Sequence, residues 1–456
     1  MKKITTIFIL NWILIVSFGQ TVQSISDELK AINKEIVEKE CIKKYGLIIS
    51  PRGLNYFFAD KIASYLSQDG DLSLYKTYAT LDASDGKFTL NHNIGKGLDP
   101  STGRLRSLTT VGIKANIEDG FAAVFSDSKF NSELGISLKQ TWFAKGKTFF
   151  DGCAQRQQKG SRTAPATPSA QKQKMNIERA LIIQNLIAEF TTKAKEFEAS
   201  VNAIVPADIP GPDSDTTVKT NMRDEFYKKL RTDYLKKFAE SEADRLASTE
   251  SFNLIKANWW SIKAFIPVTS QKFNTAETYA TEFLNEHLYP WELAVLHNRM
   301  WESTKCGRFF LNLSIGIVNN NSVATEDVEK ISLQDYKNLG GTDPIHMAQL
   351  ESDDAYVGTY KNFVTPNLKI QGIWFPKDWN IGVSLLFDQS FGQYNPLNGK
   401  LGFPIRFNDK DGDPTVNFEV QVKTFDMTDK IVTDKSLIKK TSIGLSVGLP
   451  FNSIIY

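Results

Sequence analysis

The stretch TVNFEVQVKTF, Thr415 to Phe425, alternates polar and apolar residues without a slip as far as Lys423. Val416, Phe418, Val420 and Val422 fall on one side, and Thr415, Asn417, Glu419, Gln421 and Lys423 on the other. Successive side chains of a strand point to opposite faces, so this is a β-strand with one apolar and one polar face. In a soluble sandwich the valines turn inward to the core. In a membrane barrel they turn outward to lipid, and the polar row lines the interior. One strand does not distinguish the two, and the rest of the chain has to.

The 456-residue chain opens MKKITTIFILNWILIVSFGQT. Lys2 and Lys3 precede an apolar run from Ile4 to Val16, and Ser17 and Gly19 place small residues before a cut at Gln20. This is the pattern of a secretory signal peptide, expected over residues 1–19. The net charge of +2 argues against a nucleic-acid surface. Cys41, Cys153 and Cys306 are three, widely spaced and without a CxxC pair, so a disulfide framework is not expected.

Helical spacing of Ile25, Leu29, Ile32 and Ile36 gives an N-terminal helical periplasmic segment over residues 20–71. Strand patterns then occupy residues 72–151. They comprise a weak one at 72–81, then Lys87 to Ile94, Thr110 to Glu118, FAAVF at 121–125 after an Asp119-Gly120 turn, and Glu133 to Phe143. Residues 152–257 change character. A polar, basic linker (Ala154 to Lys174) leads into a heptad spacing through Ile183, Ile187, Phe190, Phe197, Val201 and Ile204, a coiled-coil seam. Three prolines and a glycine break it before a second amphipathic helix, about 224–247. The two predict an antiparallel coiled-coil hairpin. Strands return over 258–456 at 259–268, 308–318, 367–375, 379–388, 401–408, 415–425 and 441–451, with a mostly helical stretch expected at 269–304. The sum is about twelve strands (10–14).

Lipid outside is the better reading of these strands. Glycines share the polar row with charges, as Gly112 with Lys114 and Gly402 with Arg406. Tryptophans expected at the membrane interfaces (Trp142, Trp259, Trp374, Trp379) stand near strand ends, and the chain finishes on an aromatic, Tyr456. Export signal, alternating strands, belt aromatics and terminal aromatic strand together resemble a bacterial outer-membrane β-barrel. The resemblance covers residues 72–151 and 258–456 and is to a class. It implies a mainly β fold, an antiparallel transmembrane barrel carrying the inserted hairpin, in the outer membrane of a Gram-negative bacterium with outer-membrane lipid around it. Ile443 to Phe451 are out of phase with Tyr456, which a bulge at Asn452-Ser453 would correct.

Chemical motifs fail on inspection. GLSVG, Gly444 to Gly448, has the letters of a nucleophile elbow, but Ser446 sits mid-strand with no downstream histidine or aspartate. Around Asp411-Gly412 an EF-hand register puts Phe407 and Phe418 at ligand positions. His92, His287, His297 and His346 are scattered, without HExxH. No enzyme activity, catalytic residue, metal or cofactor is expected.

If the apolar row faces lipid, the lumen-lining row contributes Lys87, Lys114, Lys139, Lys263, Arg308, Lys369, Arg406 and Lys423 against Glu118, Asp388 and Glu419. Such a lumen favours anions, so one reading is a porin-like channel or transport component for small anionic solutes. A second is a membrane-anchored binding or assembly protein whose hairpin engages a protein partner or a second copy through its seam. A third is a soluble secreted β-rich protein. Counting strands from a periplasmic N-terminus places the hairpin at the barrel end opposite the chain ends.

Overall fold

A computed structural model describes residues 25–34, 36, 45–46, 48–63, 73–83, 86–99, 103–116, 125–126, 129–130, 134–150, 170–203, 215–325, 328–338, 347–408 and 414–454. The signal peptide, the Asp119-Gly120 turn, most of FAAVF, the basic linker to residue 169 and the Asp411-Gly412 turn lie outside them. Twelve strands close into an antiparallel barrel: β1 (Tyr75–Asp82), β2 (Lys87–Leu98), β3 (Leu105–Asn116), β4 (Gly135–Phe143), β5 (Leu254–Pro267), β6 (Glu292–Ser303), β7 (Gly307–Asn321), β8 (Asn362–Phe375), β9 (Val383–Ser390), β10 (Leu397–Asn408), β11 (Pro414–Thr424) and β12 (Thr441–Ile454). Each pairs with its sequence neighbours, and β12 returns to β1, so no edge remains.

The opening question has its answer in β11. Val420 is 41% exposed and Glu419 0%. The same division holds around the wall: Ile136, Ile262, Leu311, Leu385 and Phe403 are exposed, while Lys139, Lys263, Ser314, Ser384 and Gln421 are buried. The barrel wall is apolar outside and, away from its proximal end, polar inside, the reverse of a soluble core.

Glycines on the inward row make room for large neighbours. A Cβ on Gly402 would overlap the Glu419 carboxylate, and one on Gly135 would overlap the Phe265 ring. Near the end of β12, pairing passes from Thr77–Phe451 to Tyr75–Ile454, which leaves an extra residue on β12 at 452–453, where the phase change requires it.

Twelve was the expected count, but its membership differs. Among the described residues the short strand at Phe125–Ser126 pairs with Lys129–Phe130, outside the barrel. β6 lies within the stretch read as mostly helical. Two further strands lie in that stretch. Gln271–Ala276 and Leu284–Leu288 join Val328–Asn338 and Met347–Gly358 in a separate four-stranded sheet. A spurious strand before the hairpin and a missing one after it invert the ends assigned to connections between them. The hairpin therefore leaves the barrel at the proximal end, where β1 begins and β12 ends, not opposite it. Short links 304–306 and 376–382 share that end. The four-stranded sheet and the 425–440 loop belong to the distal end.

Four helices complete the described fold: a first at residues 25–34, then α1 (Pro51–Ala63), α2 (Ala170–Ala203) and α3 (Asp215–Thr249). Ser50 caps α1, its hydroxyl accepting from the Gly53 N–H at 3.0 Å, and Pro51 occupies the first turn, where no amide partner is needed. α2 and α3, 34 and 35 residues long, stand about 50 Å at 1.5 Å per residue. Residues 25–34 are helical and lay Ile25 and Leu29 against Phe190, Tyr234 and Phe238, making a three-helix bundle.

Candidate functional site: a plugged lumen with two chambers

At the proximal end the inward row turns apolar. Leu105 and Leu108 of β3, Trp259 of β5, Met300 of β6, Phe310 of β7, and Ile373 and Phe375 of β8 form one cluster with Ala59 and Ile62 of α1. α1 therefore fills the proximal mouth as a plug. Its other face presents Leu54, Tyr56 and Phe57 to Met175, Ala239, Ala243 and Leu246 at the base of α2 and α3. The segment expected to be wholly periplasmic thus enters the barrel. Trp259, assigned to an interfacial belt, is corrected: it is 1% exposed and belongs to the plug layer. Its neighbour Trp260 faces out, paired across the strands with Trp142 and stacked on His297 with centroids 4.1 Å apart. Trp142, Trp260, Phe309, Trp374, Phe407 and Phe451 give the proximal end an exposed aromatic girdle, continued by Trp379 in the β8–β9 link.

A buried ion pair between α2 and α3 also holds the segment that leads into the plug. Arg179 Nε donates to Glu242 Oε1 at 2.6 Å, and both side chains are fully buried. The Arg179 guanidinium also donates to the Ile48 carbonyl, and the Ser50 N–H donates to Glu242 Oε2 at 3.0 Å. Glu242 thus sits at the N-terminus of α1, where the helix dipole favours a carboxylate.

The distal half of the lumen holds a cavity of about 310 Å³. Lys87, Lys263, Lys369, Lys400, Lys423 and Lys440 line it, against Asp82, Glu292 and Asp388. Most of the lysines have a carboxylate close by: Lys263–Glu292 at 3.8 Å, Lys369–Asp388 at 3.3 Å, Lys400–Glu419 at 3.4 Å and Lys423–Asp82 at 3.1 Å. Lys114 lies 5.0 Å from the centroid of the Phe265 ring, and Lys139 donates to the Tyr78 hydroxyl at 3.3 Å. A second cavity, about 390 Å³, lies at the proximal end beside α1 and includes Arg308 and Arg406. Arg308 is bound by Glu302 at 2.6 Å and Arg406 by Asn380 at 3.3 Å. Glu118 lies outside the described residues.

Lys440 anchors the loop over the distal cavity. It donates to the carbonyls of Asp426 at 2.8 Å and Val432 at 3.0 Å. Burial pushes the Asp426 carboxyl up, but N–H groups of Val432, Lys430 and Ile431 with the Lys440 charge hold it below the usual carboxylate range.

Among site residues that sequence reasoning missed, Lys400 shares the inward row with Gly402 and was legible. Asp82 ends the weak first strand, and Glu292 fell in the stretch read as helix. In the hairpin, Ile183, Phe190 and Val201 are buried, Ile187 is partly buried, and Phe197 stacks on Phe226 at 3.7 Å. Toward its base the buried face follows Met175, Arg179, Ile182 and Leu186. Ile204 lies outside the described residues. The seam is thus covered from within the chain.

Ser446 is buried in β12 opposite Glu419 in the strand register. Among the described residues no cluster of His, Cys, Asp and Glu could hold a metal, and no helix is long and apolar enough to cross a membrane. The chain matches no protein-family model, and no curated protein is significantly similar to it.

Proposed function

We propose that this protein is an outer-membrane β-barrel that admits small anionic solutes into a lysine-rich distal vestibule, with α1 as the plug of its proximal mouth. The observation that carries the reading is the division of the wall, apolar row outward and charged row inward. An apolar exterior around twelve strands is stable in hydrocarbon and costly in water. The aromatic girdle suits an interfacial belt. The first barrel strand begins and the last one ends at the proximal end, which also carries the short links 304–306 and 376–382, and this suits the periplasmic end of such a barrel; the signal-like N-terminal sequence fits export. By the same rule the three-helix bundle stands in the periplasm and the four-stranded sheet outside the cell.

Six lysines line the cavity against three carboxylates on its surface, and Glu419 and Asp426 stand beside Lys400 and Lys440, so the anion preference rests on the ammonium groups presented to the cavity and not on a net charge of the site. The decisive experiment is fractionation with a heat-modifiability gel. The expected protein sediments with outer membranes and migrates differently when unheated. Recovery in the soluble fraction with no heat shift overturns the reading. One observation favours the rival, a barrel that only anchors a binding module: α1 closes the mouth. A closed lumen that no lumen-directed change can open would select that rival.

A further inference from the structure

The two cavities of the lumen nearly meet. On β7 the distal cavity is lined by Asn312 and the proximal one by Arg308, with Phe310 the only inward residue between them. On β8 the order repeats, with Gln371 above, Phe375 below and Ile373 between. Alternate residues of a strand are about 7 Å apart, so a single layer of side chains separates the chambers on this wall. Ile62 and Ala59 of α1 close that layer from the plug side.

The proximal chamber resembles the distal one in charge. Lys61, Arg308, Lys377 and Arg406 line it against Glu250, Glu302 and Asp378. Its remaining wall includes Phe57 and Lys61 of α1 and the end of α3.

We infer that the two chambers are entrance and exit of one anion path, and that Phe310 and Ile373, packed against Ile62, are its gate. The inference rests on the reading of the vestibule as an anion entrance. An apolar constriction excludes water and so stops ions without a charge barrier. Arg308 and Arg406 below the layer receive an anion that has crossed it. The plug is part of the gate, so a small displacement of α1 opens the layer without removing the helix from the mouth.

The test is conductance in planar bilayers of the full-length protein and its Phe310→Ala and Ile373→Ala variants, each shown to be folded by its heat-modifiable migration. Either truncation should raise conductance at least tenfold over the unaltered protein, with reversal potentials favouring chloride over potassium. Ile62→Ala approaches the same layer from the plug and should act in the same direction. Folded variants that all conduct no more than the unaltered protein would overturn the gate.

A separate measurement addresses the anion reading itself. With Cys41, Cys153 and Cys306 changed to serine, Asn312→Cys should react several-fold faster with an anionic than with a cationic methanethiosulfonate. That preference together with closed variants would sink the gate and leave the vestibule. Faster reaction with the cationic reagent would sink the anion reading, whatever the variants conduct.

Discussion

The distal half of the lumen and the plug layer beneath it are built from the same inward row and are opposite in chemistry. The distal half carries lysines held by carboxylates around an open cavity. The proximal half carries Trp259, Met300, Phe310 and Ile373 around a helix. The difference teaches what alternation reports. Period two assigns a residue to a face, but the content of the inner face depends on what fills the barrel at that depth. Where water fills it the inner row is polar. Where α1 fills it both faces are apolar, as in the runs WW at 259–260, FFL at 309–311 and IWF at 373–375.

The strongest way to break the comparison is to cut the plug from its support. Arg179→Ala leaves Glu242 buried without its guanidinium, and removing one partner of a buried pair costs about 3–5 kcal/mol. The helical signal at 222 nm should melt at clearly lower temperature, while the barrel keeps its heat-modifiable migration. An unchanged helical melt would show that the pair fastens neither the two hairpin helices to each other nor the segment before α1 to them.

A somewhat smaller effect, about 3 kcal/mol, is expected from Trp259→Ala in the plug layer, since a buried aromatic leaves a cavity when truncated. Trp260→Ala, one residue away on the outer face, should cost less than half as much in urea unfolding from vesicles. Equal losses would erase the distinction between the faces at this end.

In the distal half, Lys400→Met should cost about 1–3 kcal/mol, because it strips a charge partner from Glu419. Adding Glu419→Leu should recover much of that loss, because two apolar groups replace the pair. A double variant worse than the single would mean that the polar interior is needed for more than pairing.

Much of this architecture was legible in sequence, and the misses share a cause. β11, β4 and most of the strands after residue 306 read correctly because their inner rows are polar. β6 did not. Its inner row mixes Ala294, Leu296 and Met300 with Glu292 and Asn298, and its outer row carries His297 and Arg299, so the alternation is broken on both faces while its helix-forming residues complete the resemblance to a helix. α1 carried a start signal, Ser50-Pro51, but nothing local says that a helix enters a barrel. The lysines were readable as a row. Their partners Asp82, Glu292 and Glu419 come from other strands: Glu292 and Glu419 are brought near by the register of neighbouring strands, and Asp82 only by closure of the sheet.

The smallest expected effect is on pH dependence. The folded Asp426 carboxyl lies below its usual range, so its contribution is present above the unfolded carboxylate pKa and is lost as pH falls through the folded value. Acidification should loosen the 425–440 loop before the barrel. Protease sensitivity of that loop should rise at acid pH, and Asp426→Asn should show the same sensitivity at neutral pH. A loop equally resistant in both would leave Asp426 without this fastening role.

The central claim is that one row of each strand faces lipid and the other the lumen, and β11 offers its most direct test. With the native cysteines changed to serine, a nitrobenzoxadiazole label is placed at Val420→Cys or at Lys423→Cys, and each variant is reconstituted into vesicles of brominated lipid. Brominated chains should quench the label strongly at position 420 and leave it bright at position 423. Equal quenching at the two positions, or stronger quenching at 423, would contradict the account.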